Sequence, residues 1–126
     1  MQSKPEKTLA QKLQIKADRS AIVLGAPKEF VLDLPAGATK AKGVGTADVV
    51  LFFANSRAHL ERELPKLRPQ LKPTTIVWLA WRKGNAKVSA DLNRDSLAKL
   101  ADEHGLTPNA NIAISAEWSA LRLKII

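Results

Sequence analysis

Few residues in this chain have the types and spacing that chemistry needs. Asp91 and Glu117 are carboxylates that could share acid–base work, but nothing in their spacing requires them to meet, and helix-flank or turn roles account for both. His59 and His104 each fall within a helical stretch, and neither has a second ligand at metal spacing such as H-x-x-x-H. No serine lies in a G-x-S-x-G elbow. The chain has no cysteine, which removes thiolate zinc sites, iron–sulfur clusters and cysteine nucleophiles. The residues alone therefore predict no catalytic group, no metal site and no cofactor.

The elements that would position a site alternate between strand and helix. Glu6 to Ile15 reads as a short amphipathic helix, with Leu9, Leu13 and Ile15 set among lysines. Ala21-Ile22-Val23-Leu24 is a compact apolar run ending at Gly25, as a buried strand would be. Pro27 suits the first turn of a following helix, whose stripe is Phe30, Val31 and Leu34 and whose stop is Pro35 with Gly37. Ala38 to Lys42 reads as a brief, lysine-bearing edge strand. Ala47 to Phe53 is nearly all apolar, the mark of a parallel strand covered on both faces.

Asn55 or Ser56 can cap the next helix, which carries Leu60, Leu64, Leu67 and Leu71 on one face. Pro65 and Pro69 are expected to bend or end it near Glu63 to Lys66. Thr74 to Trp81 is a third strand, followed by a basic connection from Arg82 to Lys87. Asn93 caps a helix holding Asp95, Leu97 and Leu100 and ending at Gly105. Two closing strands, Asn111 to Ala116 and Ser119 to Ile125, are joined by a tight turn near Glu117 and must run antiparallel. Alternating strands and helices imply a parallel sheet between helices. The expected fold is thus a three-layer, Rossmann-like α/β domain with a mostly parallel sheet and a final antiparallel strand pair.

Composition agrees with one globular domain over 1–126, with Met1 to Pro5 as a flexible tail. The chain is 45% hydrophobic and 25% charged, ordinary for a folded protein. Its longest uncharged run, Gly105 to Ala116, is too short to cross a bilayer, and Met1 to Arg19 lacks the pattern of a secretory leader. A cytoplasmic protein without a membrane partner is expected. The net charge of +8 favours anionic partners, although most basic residues fall on helix faces that should be wet. Arg57 to Lys87 holds eight basic residues against Glu61 and Glu63, enough for nonspecific contact with nucleic-acid phosphate. Its tryptophans, Trp78 and Trp81, lie in an expected buried strand, so sequence-specific nucleic-acid binding is not expected.

Ala47-Asp48-Val49-Val50-Leu51-Phe52, the leucine helix, Leu71-Lys72-Pro73 and Ile76-Val77-Trp78-Leu79-Ala80-Trp81 resemble the matching region of Rossmann-like methyltransferases. Here Thr74-Thr75 stands where those enzymes have paired glycines. The whole chain is also similar to a bacterial family of short, uncharacterised domains of this fold. Val23-Leu24-Gly25-Ala26-Pro27, Trp81-Arg82-Lys83 leading to Asp91-Leu92, and Glu117-Trp118-Ser119-Ala120-Leu121 carry that likeness. It implies a fold and brings no activity with it.

A cofactor-binding enzyme of the methyltransferase class needs several glycines after its first strand and an acidic residue at the end of its second. This chain offers Gly25 alone, then Ala26-Pro27, and Thr39-Lys40-Ala41-Lys42. In open parallel sheets, ligands gather beyond the carboxyl ends of the strands. The candidate rim therefore comprises Gly25, Pro27, Asn55, Ser56, Arg57, Trp81, Arg82, Lys83, Asp91 and Trp118. Two helix starts there, near Pro27 and Ser56, would favour an anion. The resulting expectation is a non-catalytic binding or adaptor domain for a small anionic ligand or a protein partner. A degenerate S-adenosylmethionine-dependent methyltransferase and a nonspecific nucleic-acid binder are the alternatives.

Overall fold

The computed structural model describes residues 12–16, 18–26, 30, 34, 37–54, 56–82, 94–114 and 118–125. Apolar runs form the strands β1 (Ser20–Leu24), β3 (Val49–Ala54) and β4 (Ile76–Arg82), and Thr39–Lys40 forms the short β2. Helix α1 spans Arg57–Leu67 and α2 spans Arg94–Glu103. The closing strands are β5 (Leu106–Ala113) and β6 (Trp118–Ile125). They build one six-stranded sheet in the order β2-β1-β3-β4-β6-β5. β2, β1, β3 and β4 run parallel, and β6 and β5 complete the sheet antiparallel.

Alternation along the central strands splits the core in two. Val50, Phe52, Val77, Leu79 and Trp81 face α1 and α2, meeting Leu60, Leu64, Leu67, Leu97 and Leu100. Val49, Leu51, Phe53, Trp78 and Ala80 face the other way, against Leu13, Ile15, Phe30 and Leu34. Every residue of β3 is buried, which is why its sequence shows no polar alternation. The indole N–H of Trp78 donates to the Leu13 carbonyl at 3.0 Å, tying the segment 12–16 across the second face. The helices expected over Glu6 to Ile15 and from Pro27, like the tail Met1 to Pro5, fall largely outside the described residues.

Two expectations need correction. Of the bend or end expected near Glu63 to Lys66, the end does not occur: α1 passes through Pro65 to Leu67, then tightens into a 3-10 turn over Arg68–Gln70. Pro65 and Glu61 are both exposed, so the Glu61 carbonyl that lacks an N–H partner can bond water while Leu60, Leu64 and Leu67 hold the helix on the sheet. β5 begins at Leu106, not Asn111. Gly105, with φ +77°, ends the preceding turn, and Leu106 is buried at once. The run Thr107-Pro108-Asn109 reads as a loop, but an edge strand with a bulge between Pro108 and Ala110 accommodates it.

Candidate functional site

The chain leaves β1 for β2 on one side and then crosses to β3 on the other, so the topological switch lies between β1 and β3. Leu24, Ala54 and Arg82 end their parallel strands on one rim, as the sequence predicts, and the antiparallel β6 brings Trp118 to the same rim opposite Arg82. Of the candidate residues, Gly25, Ser56, Arg57, Trp81, Arg82 and Trp118 are described. Pro27, Asn55, Lys83 and Asp91 lie outside the described residues, as does Glu117.

Gly25 has φ +71°, a conformation that side chains strain. A Cβ built there would stand 2.9 Å from the Phe53 carbonyl oxygen and 3.9 Å from Cε1 of His59. The glycine thus lets β1 turn tightly over the end of β3. Ser56 is the N-cap of α1, its Oγ accepting from the His59 N–H at 3.1 Å. The His59 ring stacks on Phe52, with centroids 5.3 Å apart. That places His59 beside Gly25 at the switch point, a position its helical context does not signal.

Arg57 Nε lies 3.4 Å from Glu61 one turn along, both exposed. Trp81 and Trp118 are each 6% exposed, and they belong to opposite cores, so the sheet separates them. Phe30, Phe53 and Trp118 form an edge-to-face row, with centroids 4.8 and 5.0 Å apart. The Arg82 guanidinium covers Trp118 at 5.0 Å from the ring centroid. Within the basic stretch, Arg62 and Lys66 both reach Glu63, and Arg68 Nε donates to the His104 carbonyl at 2.9 Å. His104 Nδ1 lies 2.9 Å from the Leu100 carbonyl, closing the end of α2. Among the described residues, no three His, Asp or Glu side chains gather to hold a metal.

A cleft lies one strand from the switch. Among the described residues, β2 pairs with Ser20 and Ala21 alone, and the Ala41 N–H adds a bond to the Ala21 carbonyl at 2.8 Å. Among the described residues, Ile22, Val23 and Leu24 pair with β3 alone. Beside that unpaired stretch of β1 is a cleft of about 410 Å³. Among the described residues, Ala21, Ile22, Val23 and Ala26 of β1 and its end line it, with Phe30, Leu34, Lys40 and Ala41. Lys40 is the charged residue among these. No helix of the described residues is long and apolar enough to cross a membrane.

This order of strands and its antiparallel close define a Rossmann-like α/β fold of the methyltransferase kind. The chain is similar to a mitomycin 7-O-methyltransferase at 12% identity and TM-score 0.66, covering 94% of this chain and 53% of that one. A SAM-dependent methyltransferase from Aquifex aeolicus superposes at 9% identity and TM-score 0.62, covering 94% and 88%. A TehB-like SAM-dependent methyltransferase from Corynebacterium glutamicum gives 9% identity and TM-score 0.61, covering 96% and 89%. The chain spans about half the length of the first of these. No family model and no curated protein matches it, so the likeness to a short bacterial family gains no support from sequence comparison.

Proposed function

We propose that this chain is a non-catalytic binding domain on a reduced methyltransferase-like scaffold, which takes a small anionic ligand in the cleft beside β1. The cleft itself supports this reading: its described lining is mostly apolar, its volume suits a small molecule, and Lys40 is the charged residue among the described lining. An apolar body would rest on Phe30 and Leu34, and an anionic group would meet the Lys40 ammonium.

The same position also separates the second reading, S-adenosylmethionine binding. That reading is favoured by the SAM-dependent methyltransferases among the similar structures. A ribose at the end of the second strand is ordinarily held by an acidic residue, and here Lys40 and Lys42 occupy that stretch.

Thermal-shift titrations with S-adenosylmethionine, S-adenosylhomocysteine, ADP and sugar phosphates test both readings on the wild type and Lys40→Glu. A phosphorylated ligand at about one hundred times its Kd stabilises the fold by about 2.7 kcal/mol, a shift of several degrees. Lys40→Glu should abolish it. A shift with S-adenosylmethionine that survives or grows in Lys40→Glu would replace the first reading with the second. No shift with any of the four would sink both.

A further inference from the structure

Charge is not spread evenly over the molecule. α1, its 3-10 turn and α2 carry six basic residues (Arg57, Arg62, Lys66, Arg68, Arg94 and Lys99) against five acidic ones (Glu61, Glu63, Asp95, Asp102 and Glu103). Three of those cations already meet carboxylates, Arg57 at Glu61 and both Arg62 and Lys66 at Glu63. Arg68 is turned to the His104 carbonyl. The helix face, which holds most of the basic stretch that begins at Arg57, is therefore close to neutral.

The opposite face of the sheet carries a strip of cations. Leu13 and Ile15 are buried in one cluster with Ile76 and Trp78, while Lys12 and Lys16 beside them stand exposed. Arg19 Nη1 donates to the Gln14 carbonyl at 3.0 Å, which holds its guanidinium against this segment. Trp78, whose indole bonds to Leu13, is the register partner of Arg122 on β6. Trp118 and Ala120 belong to this face, so alternation along β6 brings Arg122 and Lys124 to it as well. Among the described residues, no carboxylate forms an ion pair with Lys12, Lys16, Arg122 or Lys124. Asp18 is the acidic residue described within the strip, and the nearby Asp48 carboxylate accepts from the Ser20 N–H.

We infer that this strip holds duplex nucleic acid by its phosphates, without reading sequence. From β1 to β6 is three interstrand spacings, about 14 Å. That length of duplex axis carries about eight phosphate charges, enough to meet Lys12, Lys16, Arg19, Arg122 and Lys124 together. The large apolar residues beneath, Leu13, Ile15 and Trp78, are at most 2% exposed. They can neither stack on an unpaired base nor enter a lipid interface, which leaves charge as the means of contact. None of the five cations is among the described residues that line the cleft beside β1, so the two sites can be tested separately.

The anisotropy of a labelled DNA duplex, followed across salt concentrations, tests the strip. Five phosphate contacts predict a slope of log affinity on log salt of about −4.5, roughly a 500-fold loss between 50 and 200 mM salt. Lys16→Glu with Lys124→Glu should flatten that slope to about −2.7 and weaken binding at low salt. Lys66→Glu with Lys99→Glu makes the same change of net charge on the helix face and should leave the slope as it is. All four lysines are exposed, so the melting point should hold in both double variants. If the first pair disturbs the fold, Lys16→Gln with Lys124→Gln reads the same contacts. Equal weakening by the two charge-reversed pairs would mean that net charge acts without a site, and it overturns the inference. So does a wild-type slope flatter than about −2, no binding at low salt, or tighter binding to vesicles of anionic phospholipid than to the duplex.

Discussion

At the amino ends of β1 and β3 the chain closes on itself through hydrogen bonds, whereas at the carboxyl end β1 outruns its neighbour and leaves a cleft. On the closed side, the Asp48 carboxylate accepts from the Ser20 N–H at 2.9 Å and the Ser20 hydroxyl donates to the Thr46 carbonyl at 3.0 Å. The Asp48 N–H donates to the Ser20 carbonyl, and the Asp48 carbonyl accepts from Ile76, each at 2.9 Å. Three strands are thereby held in register from one end. The other end can then stay open, with Gly25 turning over Phe53 and with Arg82 laid on Trp118, without loss of alignment. Register is held at one rim, and the cleft opens toward the other.

Substitutions at the rims test that division. The largest effect is expected from Gly25→Ala on the open side, where a left-handed backbone and the Phe53 carbonyl at 2.9 Å both oppose a methyl group. Denaturant unfolding should show a loss of about 2–4 kcal/mol, and an unchanged midpoint would mean that the turn is not rigid. Asp48→Ala on the closed side should cost about 1–2 kcal/mol yet leave ligand affinity in the cleft unaltered. If affinity fell in step with stability, the two rims would not be independent. Arg82→Ala removes the cation above Trp118 and should cost about 0.5–1 kcal/mol, read from the same unfolding curves. Lys40→Glu, exposed, should move stability by less than about 0.5 kcal/mol while it abolishes anion binding. It is the sharpest separation of the two rims and the smallest effect on the fold.

Much of the architecture is legible in the sequence because the sheet is covered on both faces. Val49 to Phe53 and Ile76 to Trp81 leave no polar alternation to misread, and Leu60, Leu64 and Leu67 mark the side of α1 that packs. The boundaries that depart from the sequence pattern are places where tertiary contact overrides a local signal. Pro65 is tolerated because it faces water, and Thr107-Pro108-Asn109 belongs to a strand because the edge needs bonds on one side only. The site was less legible than the fold. Topology places the rim residues, but Trp81 and Trp118 sit on opposite faces of the sheet. The cleft arises from the length difference between β1 and β2, a property of two strands together. Nothing in Phe30, Leu34 or Lys40 alone announces it.

The bond from Trp78 to Leu13 also bears on how quickly the chain reaches this state. It joins residues 65 apart in sequence, and it must form before the buried indole N–H has a partner. Ordering so long a loop is slow, since its entropy is lost before the contact repays it. The second face of the sheet should therefore be sealed late in folding, after the local pairing of β5 with β6. With no tyrosine in the chain, the emission of its three tryptophans should show that delay as a separate final phase.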